Sequence, residues 1–457
     1  MVFASGSSAR SSLLLAQRGL TALTLSWLAL GCIPQTTPRG ANGPLDPGVE
    51  RGARFEVGGA PFCFEGTNNY YLAYKPRKMV DDVLESARAL GLSVVRTWAF
   101  IDRGSLDGSV PNTDGEGSKG GVYFQAWDPA RREPVYNDGA DGLENLDYAV
   151  AKASSLGIKL LLVMTNNWRE FGGIDQYLAW YGLDQHREFY RSPPVKAAFK
   201  AWLTHLMLRK NSVSGLIYRD DPSIFGWELA NEPRCKGSGL SLSAACDPKL
   251  ITDWASEMSA YAKSIDDHHL IAVGDEGFLN EGGVHFTYRA DDGVDHRALT
   301  ALPSVDFGTF HLYPETWGTA PGWDTRWIAD HERIARELDK PTVLEEYGLK
   351  VERDPSGVIV TGLEQRLAAY ATWNDTVRRH AGGAALFWML AGREESGQFY
   401  PDYDHFTVYR EDSAGQLLRD IARRFPSAPA CTPDAGLPPL PASPFVSVRH
   451  RHGAAAR

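Results

Sequence analysis

Two stretches of this chain carry carboxyl groups in settings where chemistry could use them. Phe225-Gly-Trp-Glu-Leu-Ala-Asn-Glu-Pro233 is an apolar run that follows the turn signal Asp221-Pro222 and closes on an amide and a carboxyl, Asn231 and Glu232. Pro233 cannot donate to a strand ladder and biases Glu232 toward an extended backbone, so the strand should end there. The second stretch, Pro341 to Tyr347, is another buried-strand pattern and ends in the doublet Glu345-Glu346. At the C-terminal lips of two strands of a parallel barrel, such carboxyls can face each other about 5 Å apart. That pair suffices to cleave a glycosidic bond. One protonated acid serves the leaving oxygen, and one ionised carboxylate attacks the anomeric carbon.

The elements that must position them alternate strand with helix. Strands are expected at Phe62 to Gly66, Val94 to Trp98, Lys159 to Met164, the run at Ile224, Leu270 to Val273, Val305 to His311, Pro341 to Tyr347 and Gly383 to Trp388. Val80, Val83, Leu84, Ala87 and Leu90 recur at helical spacing before Gly91; Leu143, Leu146, Val150, Ala153 and Leu156 repeat the pattern before Gly157. This echo of helix, Leu-Gly and strand is what a βα array produces. Eight strands with helices or long loops between them predict an α/β fold, a single (β/α)8 TIM barrel over 53–426 with long βα-loop insertions. No Gly-rich phosphate fingerprint follows any strand, which argues against a nucleotide fold.

Read together, the strand lips also carry Arg96 and Trp98, Asn166-Asn167-Trp168, His311-Leu312-Tyr313 and Trp388. Side chains alternate along a strand, so only one of Glu345 and Glu346 is expected to point into the barrel mouth. The formal net charge of -10 argues against nucleic acid as a partner, and 13 Trp with 18 Tyr supply flat rings suited to sugar faces.

The ends read differently. Arg10 and Arg18 precede an apolar stretch from Leu20 to Leu30, too short to span a bilayer, so 1–32 is expected to be a signal peptide. Leu28-Ala-Leu-Gly-Cys32 resembles the lipobox of bacterial lipoproteins, which implies a lipid on Cys32 and a cell-surface or outer-membrane anchor; simple secretion is the alternative. Residues 33–52 read as a flexible tether, and 427–457, rich in Pro and Ala, as a disordered tail. Setting Cys32 aside leaves Cys63, Cys235, Cys246 and Cys431, an even number suited to an oxidising compartment, with three pairings open. A Cys235–Cys246 bridge would stiffen the loop beside Glu232, and Cys63 with Cys431 would then tie the first strand to the segment after the last helix.

Trp227-Glu-Leu-Ala-Asn-Glu-Pro233, His311-Leu-Tyr313 and Glu346-Tyr-Gly348 resemble the signature of glycoside hydrolase family five, over about Phe55 to Arg424. Thr67-Asn-Asn-Tyr-Tyr71, Asn166-Asn-Trp168 with Phe171-Gly-Gly173 and Gln176-Tyr177, and Phe310-His-Leu-Tyr-Pro314 are similar to its endo-β-1,4-mannanase branch. Many family members place a His at the third strand's lip, where this chain has Asn, a departure from the cellulases. The resemblance implies Glu232 as general acid/base and Glu346 as nucleophile, leaving Glu345 to pair on the outer face. It further implies Arg96, Trp98, Asn167, Trp168, Asn231, His311, Tyr313, Trp317 and Trp388 as substrate-binding residues. The expected activity is retaining hydrolysis of internal bonds in mannan, glucomannan or galactomannan by a monomer without metal or cofactor, with an endo-β-1,4-glucanase as the alternative. Two other classes fit less well. A barrel that only binds would lack one of these carboxyls or Asn231, and a metal-dependent hydrolase would need more lip ligands than His311.

Overall fold

A computed structural model describes residues 53–114, 120–237, 239–354, 357–379, 383–427, 431 and 443–450. The chain divides into two units, 1–48 and 49–457, and the described residues all lie in the second. The expected signal peptide, Cys32 and tether therefore lie outside them. Among the described residues no helix is long and apolar enough to cross a membrane.

The eight expected strands are present as Phe64–Asn68, Val94–Trp98, Lys159–Val163, Ile224–Glu228, Leu270–Ala272, Gly308–Leu312, Thr342–Tyr347 and Ala384–Phe387. We number them one to eight. Parallel ladders join them in the spatial order 5-4-3-2-1-8-7-6. Strands five and six close the ring less regularly. Asp306 N donates to Ile271 O (2.8 Å), and His311 N donates to Glu276 O (3.1 Å). The result is a nearly closed (β/α)8 barrel.

Helices on the outside follow from their apolar stripes. Arg77–Leu90 buries Met79, Val80, Val83, Leu84, Ala87 and Leu90 against the sheet. It stops at Gly91, whose φ of +79° lets its N–H reach back to Ala87 O and Arg88 O; Gly157 ends Glu144–Leu156 the same way at φ +69°. The insertion after strand two folds into a small sheet of its own, Asp102–Ser105, Gln125–Asp128 and Glu133–Tyr136. Both disulfides are formed: Cys63–Cys431, and Cys235–Cys246 across the loop after strand four.

The tail departs from expectation. Val446–Arg449 is a strand, paired antiparallel with Arg54–Val57 in the register Arg54↔Arg449 to Val57↔Val446. Val446 and Val448 alternate into a patch with Phe55, Phe64, Phe225 and Phe307, which plugs the barrel at the end where its strands begin. Phe55 lies 5.3 Å from Phe225 and 5.5 Å from Phe307, both edge to face. Pro/Ala-rich composition concealed two valines with an apolar surface to cover. Residues 428–430, 432–442 and 451–457 are outside the described set.

Candidate active site

Over the C-terminal ends of the strands lies a cleft of about 1170 Å³, with Glu232 and Glu346 at its floor. It exceeds the usual size of a single small-molecule pocket, about 300 to 1,000 Å³. Glu232 is not extended as Pro233 predicts; its φ is +52°. A left-handed non-glycine residue costs on the order of 1–3 kcal/mol and persists only when its surroundings hold it. Here Glu232 N donates to Gly274 O (2.8 Å) and Asn231 N to Thr165 O (2.9 Å), so strands three and five clamp the turn from both sides.

His311 joins the two carboxyls. Its Nδ1 lies 2.8 Å from Glu232 Oε1 and 3.6 Å from Glu346 Oε2. Trp168 donates its indole N–H to the other oxygen of Glu232. Glu346 accepts from Arg96 Nη1 (2.6 Å) and from the Tyr313 hydroxyl (2.8 Å). Arg96 also donates to Glu228 from Nε and Nη2, both at 2.6 Å, and to Asn231 Oδ1 at 2.7 Å. Asn231 in turn donates to Asn166 Oδ1 at 2.9 Å. The cluster is thus one network that orients each acid from below.

Several residues sit elsewhere than expected. Arg96 and His311 are fully buried and do not line the cleft, so they hold the carboxyls and not the substrate. Asn167 is also fully buried and turned away; its Oδ1 accepts from Arg234 N and faces His186 Nε2 at 2.9 Å. Its neighbour Asn166, just beyond strand three, takes the cleft position instead. Trp98, Trp168, Trp317, Trp388, Asn231 and Tyr313 do line it. Trp388 is fixed by an indole bond to Asp404 (2.7 Å) and by stacking near Tyr70.

Glu345 does not reach an outer face. Pairing between strands six and seven runs Phe310↔Leu344 and then His311↔Glu346, skipping Glu345. This bulge breaks the alternation and leaves Glu345 inside, fully buried, with Oε2 3.4 Å from His311 Nε2 and 3.6 Å from Arg96 Nε.

Residues not foreseen complete the site. Arg234 donates twice to Glu276 (2.5 Å each), pairs with Asp292 (3.1 Å) and lies over the Trp168 ring. Arg234 follows Pro233 directly, and Glu276 lies in Gly274-Asp-Glu-Gly277 at the lip of strand five, so both had a positional signal. Glu232, Glu276 and His311 bring one donor atom each within 4.8 Å of one another. Both Glu276 oxygens are committed to Arg234, whose positive charge opposes a cation there, so this group belongs to the hydrogen-bond network.

Burial pushes Glu228 up to about 8 against the pull of Arg96, and Glu276 up to about 8 against that of Arg234. Burial also raises Glu346, with His311 and Arg96 opposing it and Glu232 adding to it. Burial acts the same way on Glu232, but His311, Arg234 and Trp168 outweigh it and bring its pKa down to about 2. For His311 burial favours the neutral ring, yet Glu346, Glu232 and Glu345 hold its pKa well above the ordinary imidazole value.

A family model described as GH family 5 beta-mannosidase-like matches residues 116–399. The mannan endo-1,4-beta-mannosidase F of Aspergillus fumigatus is 34% identical over 363 residues, covering 78% of this chain and 73% of that protein. Among solved structures, the endo-1,4-beta-mannanase from Rhizomucor miehei is similar with a TM-score of 0.73 and 38% identity, over 83% of this chain and 99% of its own. The endo-beta-1,4-mannanase from Thermotoga petrophila gives 0.69 and 39%, over 82% and 79%. With this match in sequence and this arrangement of carboxyls in the barrel mouth, the chain belongs to glycoside hydrolase family 5.

Proposed function

We propose that this protein is a retaining endo-β-1,4-mannanase in which Glu232 is the general acid/base and Glu346 the nucleophile. The observation that carries the mechanism is His311 Nδ1 touching both carboxyls at 2.8 and 3.6 Å. Their nearest oxygens therefore lie closer than the sum of those distances. That upper bound admits the separation of about 5–5.5 Å used for double displacement and falls below the roughly 6.5–9.5 Å of an inverting pair.

Charge alone would assign the roles the other way, since Glu232 is held low and Glu346 is raised. The hydrogen bonds support the assignment made here. Both Glu346 oxygens accept from groups that stay protonated, Arg96 and Tyr313, so it is held as a carboxylate. Glu232 Oε1 faces a ring nitrogen that can give or take a proton, so a low Glu232 and a high His311 describe one proton shared across 2.8 Å. In the first step a Glu346 oxygen attacks the anomeric carbon while Glu232 hands this proton to the leaving oxygen. In the second, Glu232 takes a proton from water, which attacks the glycosyl ester and releases Glu346.

The relatives named above as mannanases support mannan as substrate; Gly172 and Gly173, by contrast, are packed against the backbone of Asp102 and Asn166 and open no space in the cleft. The large, tryptophan-lined cleft favours internal cleavage. Incubation with linear mannan and with a soluble cellulose derivative, followed by NMR of the first products, tests this. Faster release from the cellulose derivative would make it an endoglucanase, and an inverted first product would defeat the two-carboxylate mechanism. We propose also that the chain is exported, acts as a monomer, and carries a lipid on Cys32. Cys32→Ser should then abolish partitioning into detergent, and unchanged partitioning would refute the anchor.

A further inference from the structure

Three carboxyls below the cleft floor, Glu228, Glu276 and Glu345, are not used by the two-carboxylate mechanism, and of these Glu345 is the one bonded to the His311 ring. Five carboxyls, Glu228, Glu232, Glu276, Glu345 and Glu346, are buried together, and among the described residues Arg96, Arg234 and His311 offset them. Glu345 enters this cluster solely because of the bulge between strands six and seven. It does not line the cleft, so it cannot touch a sugar. Its Oε2 lies 3.4 Å from His311 Nε2, on the edge of the ring opposite Glu232. Its Oε1 has no hydrogen-bond donor. The imidazole is therefore clamped between two carboxyls, Glu232 at Nδ1 and Glu345 at Nε2, while Trp327 Nε1 holds the His311 carbonyl at 2.8 Å.

We propose that Glu345 is a positioning residue for the catalytic proton: by accepting from His311 Nε2–H it makes Nδ1 the nitrogen that exchanges a proton with Glu232. This rests on the reading of Glu232 as the acid. With Nε2–H committed to Glu345, the proton between His311 and Glu232 can move only along the Nδ1–Oε1 line. Glu232 gives it to the leaving oxygen in the first step. The attacking water returns one in the second, and the imidazole ends as it began. The other titratable and charged groups around the ring and its two carboxyls are Glu346 from strand seven, Arg96 from strand two, Tyr313 just after strand six, Glu228 from strand four beside Glu345, and Glu276 with Arg234 beyond Glu232. Among these, Glu345 alone sits at Nε2. The contact with Arg96 at 3.6 Å offers a plainer role, that of a counter-charge which only supports the fold.

Glu345→Gln separates the two, because glutamine can still accept from Nε2 but removes the charge that favours the protonated pair. The measurement is kcat/KM against pH on a phenyl and a dinitrophenyl β-mannobioside. Activity needs the shared proton, so removing the charge should move the alkaline limb for the phenyl substrate down by about one pH unit or more. The loss should be at least about tenfold greater on the phenyl substrate than on the dinitrophenyl one, whose departure needs little protonation. An unmoved limb with equal losses on both substrates would overturn the proposal while leaving the acid assignment intact. Glu232→Gln is the control for that assignment. If it too lost both substrates equally, the acid reading would fall and the positioning role with it. Nitrogen-15 NMR of the histidines in the unaltered enzyme gives a readout that needs no folded Glu345 variant. The His311 signals, identified by their absence in His311→Asn, should show Nε2 protonated from about pH 5 to about pH 8. A ring protonated at Nδ1 alone would refute the proposal.

Discussion

Tyr313→Phe is the perturbation whose outcome follows most directly from the geometry. The Tyr313 hydroxyl donates to Glu346 Oε2 at 2.8 Å and is one of two donors on that carboxyl. When Glu346 is an ester its oxygens carry no full charge, so the bond is weak; when Glu346 departs in the second step it becomes a carboxylate again, and the bond strengthens. The variant should therefore slow deglycosylation more than glycosylation. A hydrogen bond to a charged group contributes about 1.5–3 kcal/mol, which corresponds to a fall in kcat of roughly 10- to 150-fold. Because glycosyl-enzyme would accumulate, KM should fall with kcat, and kcat/KM should change much less. Tyr313 also lowers the Glu346 pKa against burial, so its loss raises that pKa further and moves the acid limb of the pH profile upward. The assay is a dinitrophenyl β-mannobioside in stopped flow, read for a burst, with intact-mass detection of the trapped ester. Equal losses in kcat and kcat/KM, with no burst and no ester, would refute the reasoning.

Replacing Cys235 and Cys246 by serine opens an 11-residue loop; the chain-entropy relation gives a cost of about 2.8 kcal/mol, read as a lower denaturation midpoint. The barrel should persist in that variant while activity falls, since the loop borders Arg234 beside Glu232. His311 adds a pH dependence to stability. Its folded pKa is raised, so its contribution is fully present below the unfolded value near ~6.5 and is lost as pH rises through the folded value. Urea midpoints should decline across that window in the unaltered enzyme and stay flatter in His311→Asn.

The barrel was legible because each βα unit announces itself twice, by an apolar run and by a stripe stopped at glycine, as at Leu90-Gly91 and Leu156-Gly157. Glu232 and Glu346 were legible for a related reason, since a strand lip is a place that chain order alone defines. What escaped notice depends on departures from regularity. The bulge that turns Glu345 inward reverses the alternation on which its outward placement was argued. Asn166 and Asn167 are chemically identical, so only their backbone setting could tell the cleft residue from the buried one. The closing strand Val446–Arg449 lies some 390 residues from its partner, and no local pattern links the two. Arg234 and Glu276 come together from the segments that follow strands four and five, a pairing that chain order does not announce.

The plug at the base of the barrel has a mechanical meaning. Arg54 stands opposite Arg449, so both ends of the described fold emerge side by side, on the face away from the cleft. Further inward along each end, the bond between Cys63 and Cys431 links the same two ends covalently across a sequence separation of 368. Tension applied between these ends would first unzip the short antiparallel pair and then run from Cys63 straight to Cys431. The eight strands and both carboxyls lie outside that load path. Pulled from its ends in a force instrument, the oxidised protein should release only the slack between residues 53 and 63 and between 431 and 450. The catalytic barrel would stay folded under loads that a reduced molecule would transmit through every strand.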